Sequence, residues 1–326
     1  MAAKSPLNIV FGAGNIGDAS LDPIVRFDTK EQVNAILDTF LSRGYSEIDT
    51  SRGYSPNAPG TSEPRLGAVG AGRKFIIDTK VMSREPGSHT ADKVTAEVDK
   101  SLSDLQVDQI NIEYLHHPDR ATPFEETCEA IDKAYRAGKF KRFGLSNYTA
   151  AEVEQFIEIA ERRGFVKPSV YQGQYNAIVR GGEKELFPVL RKHSISFYAW
   201  SPAAAGFFAG NHKNVKPGGR FDTANALGGL YARLYIKPQI QDATDTALAT
   251  AEKHGISGHA AALRWTVYHS ILDSKYGDSV IIGASSTEQL STNLDMIEAG
   301  PLPADVATAM SALFASIQDE GIPYHR

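Results

Sequence analysis

The sequence predicts an α/β fold, a single (β/α)8 barrel of the TIM type with a long loop after its seventh strand and helices at its C-terminus. Short apolar runs rich in β-branched residues alternate with longer helical patterns, and this alternation covers nearly all of the 326 residues. Such alternation is typical of parallel strands joined by helical crossovers. About eight units of this kind close most readily into a barrel, and an open, doubly wound sheet is the alternative.

The predicted elements follow from local patterns. Strands are short apolar runs, and helices are segments whose apolar residues recur every three to four positions. Strands are expected at residues 8–11, 47–49, 75–77, 109–115, 140–145, 169–171, 195–199 and 280–282. Helices are expected near residues 30–43, 63–69, 91–105, 124–137, 150–163, 183–192, 240–254, 260–268, 288–297 and 304–316.

Helix ends and loops show the expected punctuation. Thr29 and Gln32 form a capping box at the start of the first helix, and Gly44 follows its end. The stretch near residues 202–236 is Gly-rich and is predicted to be irregular, and loops of that length are usually functional. No repeat or linker divides the chain, so residues 1–326 are expected to form one domain.

Composition restricts the partners and the location. The net charge of −5 offers no attraction to nucleic acid or to an anionic membrane. No apolar run reaches the roughly 18 residues of a membrane span, and the N-terminus has no signal-peptide pattern. The lone cysteine, Cys128, cannot form an internal disulfide, which fits a reducing compartment. We therefore expect a cytoplasmic protein with no nucleic-acid or membrane partner.

One motif near the N-terminus suggests a different fold. Gly12, Gly14 and Gly17 match the Gly-x-Gly-x-x-Gly dinucleotide fingerprint and follow a predicted strand. That fingerprint requires a helix to begin at the third glycine, whereas here small polar residues and Pro23 follow. We therefore interpret the motif as a Gly-rich turn at a strand end that still borders a ligand site.

Polar and aromatic residues recur at the C-terminal ends of the predicted strands. In a barrel these ends gather on one face, where active sites lie. The residues are Asp49, Lys80, His116 with His117, Ser146 with Asn147, Gln172 and Trp200. Their recurrence on strand after strand predicts a single site on that face.

Three of these residues, together with Tyr54, make a consistent acid catalyst. Tyr54 lies on the loop after Asp49, and a nearby Lys80 ammonium would lower the tyrosine pKa by favouring the phenolate. At about 4 Å and an effective dielectric near 20, that attraction is worth roughly 4 kcal/mol. Asp49 would hold Lys80 charged, and His116 would hydrogen-bond a substrate carbonyl. Together they predict a group that protonates an oxygen.

Each residue also has an ordinary structural interpretation. Asp49 alone is a typical cap or surface ion pair, Lys80 a solvated strand end, and Tyr54 an aromatic side chain half-buried in a loop. One of His116 and His117 is expected to be structural. Only the joint pattern favours catalysis.

The chain resembles the aldo-keto reductase superfamily nearly from end to end. The matching segments, in the family's order, are 47–50 with Tyr54, 77–80, 114–119, 144–148, 171–172, 197–202 and 281–289. Segments 170–177, 185–188 and 323–326 are similar to the aflatoxin-aldehyde reductase branch. The resemblance implies NADPH-dependent reduction of aldehydes or ketones to alcohols, including dicarbonyls or carboxylate-bearing aldehydes. It also implies a catalytic tetrad of Asp49, Tyr54, Lys80 and His116, with Tyr54 as the proton donor.

The resemblance further implies a set of cofactor contacts. Ser146, Asn147 and Gln172 would hold the nicotinamide carboxamide, and Trp200 would stack on the ring. The long loop would cover the pyrophosphate with Ser201, Pro202, Gly206 and Gly210. Ser285, Gln289 and Asn293 would hold the adenosine 2′-phosphate beside a helix N-terminus.

Two departures and one terminal residue affect these expectations. Gly283 and Gln289 stand where many members have a lysine and an arginine, which weakens the charge-assisted grip on the 2′-phosphate. Arg220 in the long loop is a candidate to compensate, and a solvated loop arginine is the alternative. Arg326 matches an arginine implicated in holding substrate carboxylates, although chain termini are usually frayed.

A nicotinamide-binding regulatory subunit with little turnover is the alternative function, because some family members serve as channel partners. An N-terminal extension would favour that role, and here the first strand is expected within about eight residues. The enzyme is therefore the favoured interpretation. A homodimer is the expected assembly, and no metal ligand is expected.

Overall fold

The predicted barrel is confirmed. The computed structural model describes residues 5–317 and 320–326. Its parallel strands follow one another in chain order around a closed barrel, and the last strand pairs with the first, with Val10 opposite Ile281. The strands are β1 (Asn8–Gly12), β2 (Glu47–Asp49), β3 (Ile76–Val81), β4 (Ile110–Leu115), β5 (Phe140–Ser146), β6 (Pro168–Gln174), β7 (Ser196–Trp200) and β8 (Ser279–Ile282).

Helices connect the strands and close the C-terminus. They are α1 (Lys30–Ser42), α2 (Ser62–Ala68), α3 (Ala91–Leu105), α4 (Phe124–Arg136), α5 (Ala150–Arg163), α6 (Gly182–Lys192), α7 (Ala226–Tyr235), α8 (Pro238–Lys253), α9 (Gly258–Tyr268), α10 (Thr287–Glu298) and α11 (Ala304–Ser316). Among the described residues, none of these helices has the length and apolar character needed to cross a bilayer.

Local sequence explains where α1 begins and which side it buries. Thr29 accepts a hydrogen bond from the Gln32 backbone and the Gln32 side chain reaches back, so the predicted capping box is present. Val33, Ile36, Leu37 and Phe40 recur at helical spacing and are buried against the barrel. Because this pattern is visible in the sequence, the predicted position of the first helix agrees with α1.

The barrel interior has a small apolar core of its own, separate from the larger core between strands and helices. It contains Val10, Ile112, Tyr114, Val170, Tyr198 and Ile281. Gly144 on β5 makes room for one of these side chains. A Cβ atom built on Gly144 would lie 2.2 Å from Cδ1 of Tyr114, so only glycine allows that ring to stand inside the barrel.

The prediction of an irregular stretch at residues 202–236 is wrong in part. It contains a 3-10 turn at Ala204–Ala209 and the helix α7. The side chain of Asn225 caps α7 by accepting from the Gly228 amide. Gly228 and Gly229 lower helix propensity and hid this helix in the sequence. A Cβ on Gly228 would lie 2.0 Å from the Asp222 carbonyl oxygen, so close packing requires the glycine.

The Gly-rich motif after β1 does not open a helix, as expected. Gly12 ends the strand, and the next helix begins only at Lys30. A Cβ on Gly17 would lie 2.8 Å from Ser55, so this glycine allows the loop to approach the loop that carries Tyr54. The turn therefore supports the site on the same barrel face.

Candidate active site

A buried ion pair lies at the centre of the strand ends. Lys80 on β3 is fully buried and its Nζ donates to Asp49 Oδ1 at 2.6 Å, to the Thr50 carbonyl oxygen at 2.7 Å and to Tyr54 Oη at 3.0 Å. These three acceptors use all three protons of an ammonium group. The predicted contact of Lys80 with both Asp49 and Tyr54 is present.

Tyr54 connects this ion pair to the solvent side of the barrel. Its hydroxyl donates to Asp49 Oδ2 at 2.5 Å. We expected Lys80 to lower the pKa of Tyr54, and the net direction is the opposite. The pKa is raised well above 10.0 because burial opposes the phenolate and the Asp49 carboxylate adds to that opposition. Tyr54 therefore keeps its proton throughout the neutral range.

Gln172 and Asn147 support the pair from two further strands. The amide nitrogen of Gln172 donates to Asp49 Oδ1 at 2.7 Å. Asn147 follows β5 in the left-handed region, with φ of 67°, and its amide nitrogen donates to the His116 carbonyl oxygen at 2.9 Å. The same nitrogen lies 3.1 Å from His117 Nδ1. Both amides are therefore engaged with the catalytic candidates.

The two histidines stack beside Tyr54. Their ring centroids lie 4.5 Å apart with an interplanar angle of 11°, and the His116 ring meets Tyr54 edge-on at 6.0 Å. His116 Nδ1 lies 3.0 Å from the Ser51 hydroxyl oxygen. Burial, with the neighbouring His117 and Lys80, lowers the pKa of His116 well below 6.5. His116 is therefore a neutral ring at physiological pH.

A long cleft of about 1000 Å³ opens above these groups. Asp49 and Lys80 lie beneath its surface, and Gly210 ends the 3-10 turn outside its lining. The other residues predicted from the sequence line it together: Tyr54, His116, Ser146, Asn147, Gln172, Trp200, Ser201, Pro202, Gly206, Arg220, Ser285, Gln289, Asn293 and Arg326.

The comparisons with known proteins agree with this geometry. Residues 8–314 match the model of the aldo/keto reductase family. The chain belongs to the aldo/keto reductase family. It is 38% identical over 298 residues to an aldo-keto reductase of Pseudocercospora fijiensis, covering 89% of this chain and 99% of that protein.

Two human relatives are similar over comparable lengths. One is aldo-keto reductase family 7 member A3 of Homo sapiens, 37% identical over 305 residues, with 90% of this chain and 91% of the relative covered. Aflatoxin B1 aldehyde reductase member 2 of Homo sapiens is also 37% identical over 305 residues, with 90% and 84% covered. The similarity to this branch inferred from the sequence is confirmed, and the family supports carbonyl reduction by this reductase.

In this reductase, the far end of the cleft is built from neutral side chains. Gln289 Oε1 accepts from the backbone and the hydroxyl of Ser285, at 2.6 and 2.9 Å. Asn293 Oδ1 lies 3.0 Å from His259 Nε2. The Arg220 guanidinium donates to Asn15 Oδ1 at 2.5 Å, and Asn15 in turn donates to the Ala284 carbonyl oxygen at 2.9 Å, directly before Ser285. Its positive charge therefore acts on Tyr54 and also lies near the strand end that precedes Ser285.

The tail of the reductase is held in place at the opposite end of the cleft. The Arg326 amide donates to the Asn147 carbonyl oxygen at 3.0 Å, and Arg120 donates to the Arg326 carbonyl oxygen at 3.0 Å. The Arg326 guanidinium carbon lies 5.8 Å from the Trp200 ring centroid. The fraying expected of a chain end is therefore opposed by two backbone contacts beside the cleft.

Sequence reasoning missed three residues that shape the cleft. Ser51 contacts His116, Asn15 receives Arg220, and Arg84 lines the mouth while donating to the Gly53 and Pro56 carbonyl oxygens. Ser51 and Arg84 lie within four residues of Asp49 or Lys80, so a search of the loops that follow each strand would have found them. Asn15 lies inside the Gly-rich turn that was expected to border a ligand site, although none of its side chains was named.

Proposed function

We propose that this protein reduces aldehydes and ketones to alcohols with NADPH, and that Tyr54 is the general acid. The observation that carries the proposal is the contact of one phenol with both members of a buried ion pair, Asp49 and Lys80, at the edge of a large cleft. A positioned acid of this kind accelerates reactions that place negative charge on an oxygen.

The cleft suits an elongated dinucleotide. It runs from Tyr54 past Trp200 to the N-terminus of α10, where Ser285 and Gln289 offer polar atoms. Its floor is open at Gly283, where an added Cβ would meet only the Gly12 carbonyl oxygen, at 4.0 Å. Trp200 and Gln172 would hold the nicotinamide end, and the α10 terminus with Ser285 the phosphate end. A bound reduced nicotinamide supplies a hydride to the carbonyl carbon.

The protein's own part is to manage the proton and the oxygen. His116 orients the carbonyl oxygen by donating a hydrogen bond, and Tyr54 transfers its hydroxyl proton to that oxygen as negative charge develops there. An alkoxide is far more basic than a phenolate, so a tyrosine with a raised pKa still transfers its proton. The Lys80 ammonium at 3.0 Å then stabilises the phenolate left behind.

The decisive experiment replaces Tyr54 with phenylalanine. We expect turnover of aldehydes, ketones and dicarbonyls, followed by the loss of NADPH absorbance, to fall by roughly 10²- to 10⁴-fold. Binding of NADPH, followed by quenching of tryptophan fluorescence, should persist. Because the pKa of Tyr54 is raised, wild-type reduction should not decline between neutral pH and about pH 9.

A matched control and a contrary outcome make this test specific. Tyr135 is an exposed tyrosine on α4, and Tyr135→Phe should keep its turnover. If the wild type binds NADPH but reduces none of these carbonyls, the proposed reductase activity is wrong and the regulatory-subunit alternative is favoured. Comparing the Kd of NADPH with that of NADH tests the expected preference for NADPH, since Gln289 and Asn293 at the phosphate end carry no charge.

Substrates that carry a carboxylate are a second part of the proposal. Arg326 lies over Trp200, and the charges of Arg326 and Arg84 both act on His116, so two guanidinium groups lie near the carbonyl position. Arg326→Ala should therefore lower kcat/KM for an acidic aldehyde about tenfold more than for a neutral aldehyde of similar size. An equal loss for both substrates would reject the role of Arg326.

The remaining expectations stay predictions. They are the single domain over residues 1–326, the cytoplasmic location, and the homodimer.

A further inference from the structure

Ser51 lies between Asp49 and Tyr54 and is fully buried. Its hydroxyl oxygen accepts a hydrogen bond from the Gly53 amide at 2.9 Å and lies 3.0 Å from His116 Nδ1. A Cβ on Gly53 would lie 3.2 Å from that same nitrogen, so glycine leaves the space in which serine and the imidazole meet. The Ser51 hydroxyl therefore contacts the Nδ1 side of the His116 ring, the candidate hydrogen-bond donor to a substrate carbonyl.

The direction of the Ser51–His116 hydrogen bond follows from counting protons. A serine hydroxyl has one proton to donate and two lone pairs to accept with. Gly53 already uses one lone pair, and the described part of the chain offers the Ser51 proton no acceptor other than His116 Nδ1. If Nδ1 carried a proton instead, the buried Ser51 proton would have no acceptor, which costs about 1–3 kcal/mol. The hydroxyl therefore donates to Nδ1.

We propose that Ser51 is a positioning residue that fixes His116 as the tautomer protonated on Nε2. Because Nδ1 accepts from Ser51, the proton of the neutral ring must be on Nε2. Nε2 is also the ring nitrogen that remains for the cleft, so the ring presents an N–H rather than a lone pair to a carbonyl oxygen. The role of this N–H as a hydrogen-bond donor to the substrate rests on the proposed function. The tautomer of His116 does not depend on turnover and can be measured separately.

The charge state of His116 supports a single tautomer. Burial and the neighbouring His117 and Lys80 keep the pKa of the ring well below its usual range, so the ring carries one proton at neutral pH. A doubly protonated ring would donate from both nitrogens and would need no tautomer control. A neutral ring donates from one nitrogen only, so the Ser51 hydroxyl decides which one.

His117 provides a reference within the same protein. Its Nδ1 lies 3.1 Å from the Asn147 amide nitrogen, and burial lowers its pKa to about 4. It is therefore also neutral, but its Nδ1 partner is the side-chain amide of Asn147, in the loop that follows β5. A change at Ser51 should alter the tautomer of His116 and leave that of His117 unchanged.

The test is nitrogen-15 NMR of the full chain with labelled histidine. The signals of His116 are assigned as those missing from the spectrum of His116→Gln. In the wild type near neutral pH, we expect a pyridine-like Nδ1 and a pyrrole-like Nε2 for His116. In Ser51→Ala, signals of the other tautomer should appear for His116 while those of His117 stay in place. A wild-type ring protonated on Nδ1 would overturn the inference, even if the protein reduces carbonyls.

Kinetics give a second readout. Ser51→Ala should lower kcat about tenfold, the loss expected from one misplaced donor, while the Kd of NADPH stays within about twofold. Ser51→Thr restores a hydroxyl and should recover most of the loss, provided thermal unfolding shows that it folds as the wild type does. A folded threonine variant as slow as Ser51→Ala overturns the role of the hydroxyl. If threonine does not fold, the NMR result alone decides.

Discussion

Two layers of the barrel interior bury carboxyl groups in different ways. Side chains two residues apart point to the same side of a strand, so Glu47 and Asp49 of β2 and Asp78 and Lys80 of β3 all face the barrel interior. Asp49 and Lys80 form the mouth layer, next to the cleft. Glu47 and Asp78 form the base layer, one step deeper along the same two strands.

Every polar atom of the mouth layer has a partner. Asp49 accepts from Lys80, Gln172 and Tyr54, and Lys80 has three acceptors. In the base layer, Asn8 donates to one oxygen of Glu47 and Asn111 to one oxygen of Asp78. In the described ranges the other two oxygens receive no hydrogen bond from a further side chain, and the two carboxyl groups can hydrogen-bond each other only when one of them is protonated. Burial and the charge of Glu47 raise the pKa of Asp78 well above its ordinary value.

The difference shows what each layer is suited to do. At the mouth, Lys80 pairs with the buried Asp49; burial lowers the pKa of Lys80, and the Asp49 carboxylate opposes that fall by favouring the ammonium beside Tyr54. At the base, the raised pKa lets Asp78 keep a proton and neutralises the acid without any cation. The same fold therefore pairs one buried acid with a cation and lets another keep its own proton, and the first lies directly beneath the cleft.

The largest expected effect comes from removing the cation of the mouth layer. Lys80→Met leaves Asp49 buried without its ion-pair partner, and breaking such a pair costs roughly 3–5 kcal/mol of unfolding free energy. Turnover should fall by at least about 10²-fold because the phenolate of Tyr54 loses its neighbour. Urea unfolding and steady-state rates measure the two effects.

A surface lysine supplies the control for this substitution. Lys74 pairs with Asp38 at 3.3 Å, and both side chains are more than half exposed. Lys74→Met should change the unfolding free energy by less than about 1 kcal/mol. A loss of similar size in both variants would mean that the mouth layer is hydrated rather than sealed.

A smaller effect, with a defined dependence on pH, is expected at the base layer. Asp78 has a raised pKa when folded, so the native chain keeps a proton that the unfolded chain has lost, and stability declines as pH rises above 3.8. Asp78→Asn cannot ionise and lacks this decline. The stability of Asp78→Asn relative to the wild type should therefore increase as pH rises above 3.8, while turnover stays within about twofold.

The contrast with an exposed carboxylate sharpens this prediction. Asp38 is 60% exposed, and Asp38→Asn should show no difference from the wild type that grows with pH. If Asp78→Asn becomes less stable than the wild type as pH rises, then Asp78 is ionised in the native state. The two layers would then hold their acids in the same form.

The sequence predicted most of the fold because its determinants are local. Apolar periodicity located every strand, and the Thr29 capping box fixed the start of α1. The helix α7 was missed because Gly228 and Gly229 lower its helix propensity, whereas packing of the buried Tyr231 and Tyr235 stabilises it.

The site was predictable as a set of residues but not in its electrostatics. Residues that follow parallel strands must meet at one end of the barrel, so their grouping could be inferred from the strand pattern. The choice of His116 over His117 came from the family resemblance. The direction of the Tyr54 pKa depends on burial and on which Asp49 oxygen receives the hydroxyl proton, and neither is visible in sequence. A search of the strand-end loops would have named Ser51, but its contact with His116 depends on side-chain geometry that the sequence does not show.

Gly144 and Tyr114 constrain how this barrel changes over time. The ring of Tyr114 occupies the volume that a side chain at position 144 would need. A larger residue at 144 is therefore tolerated only in a lineage whose residue at 114 has already become smaller, because the reverse order passes through a steric clash. The substitutions at positions 114 and 144 therefore have to occur in a fixed order during evolution. Variant libraries that change either position should change both at once.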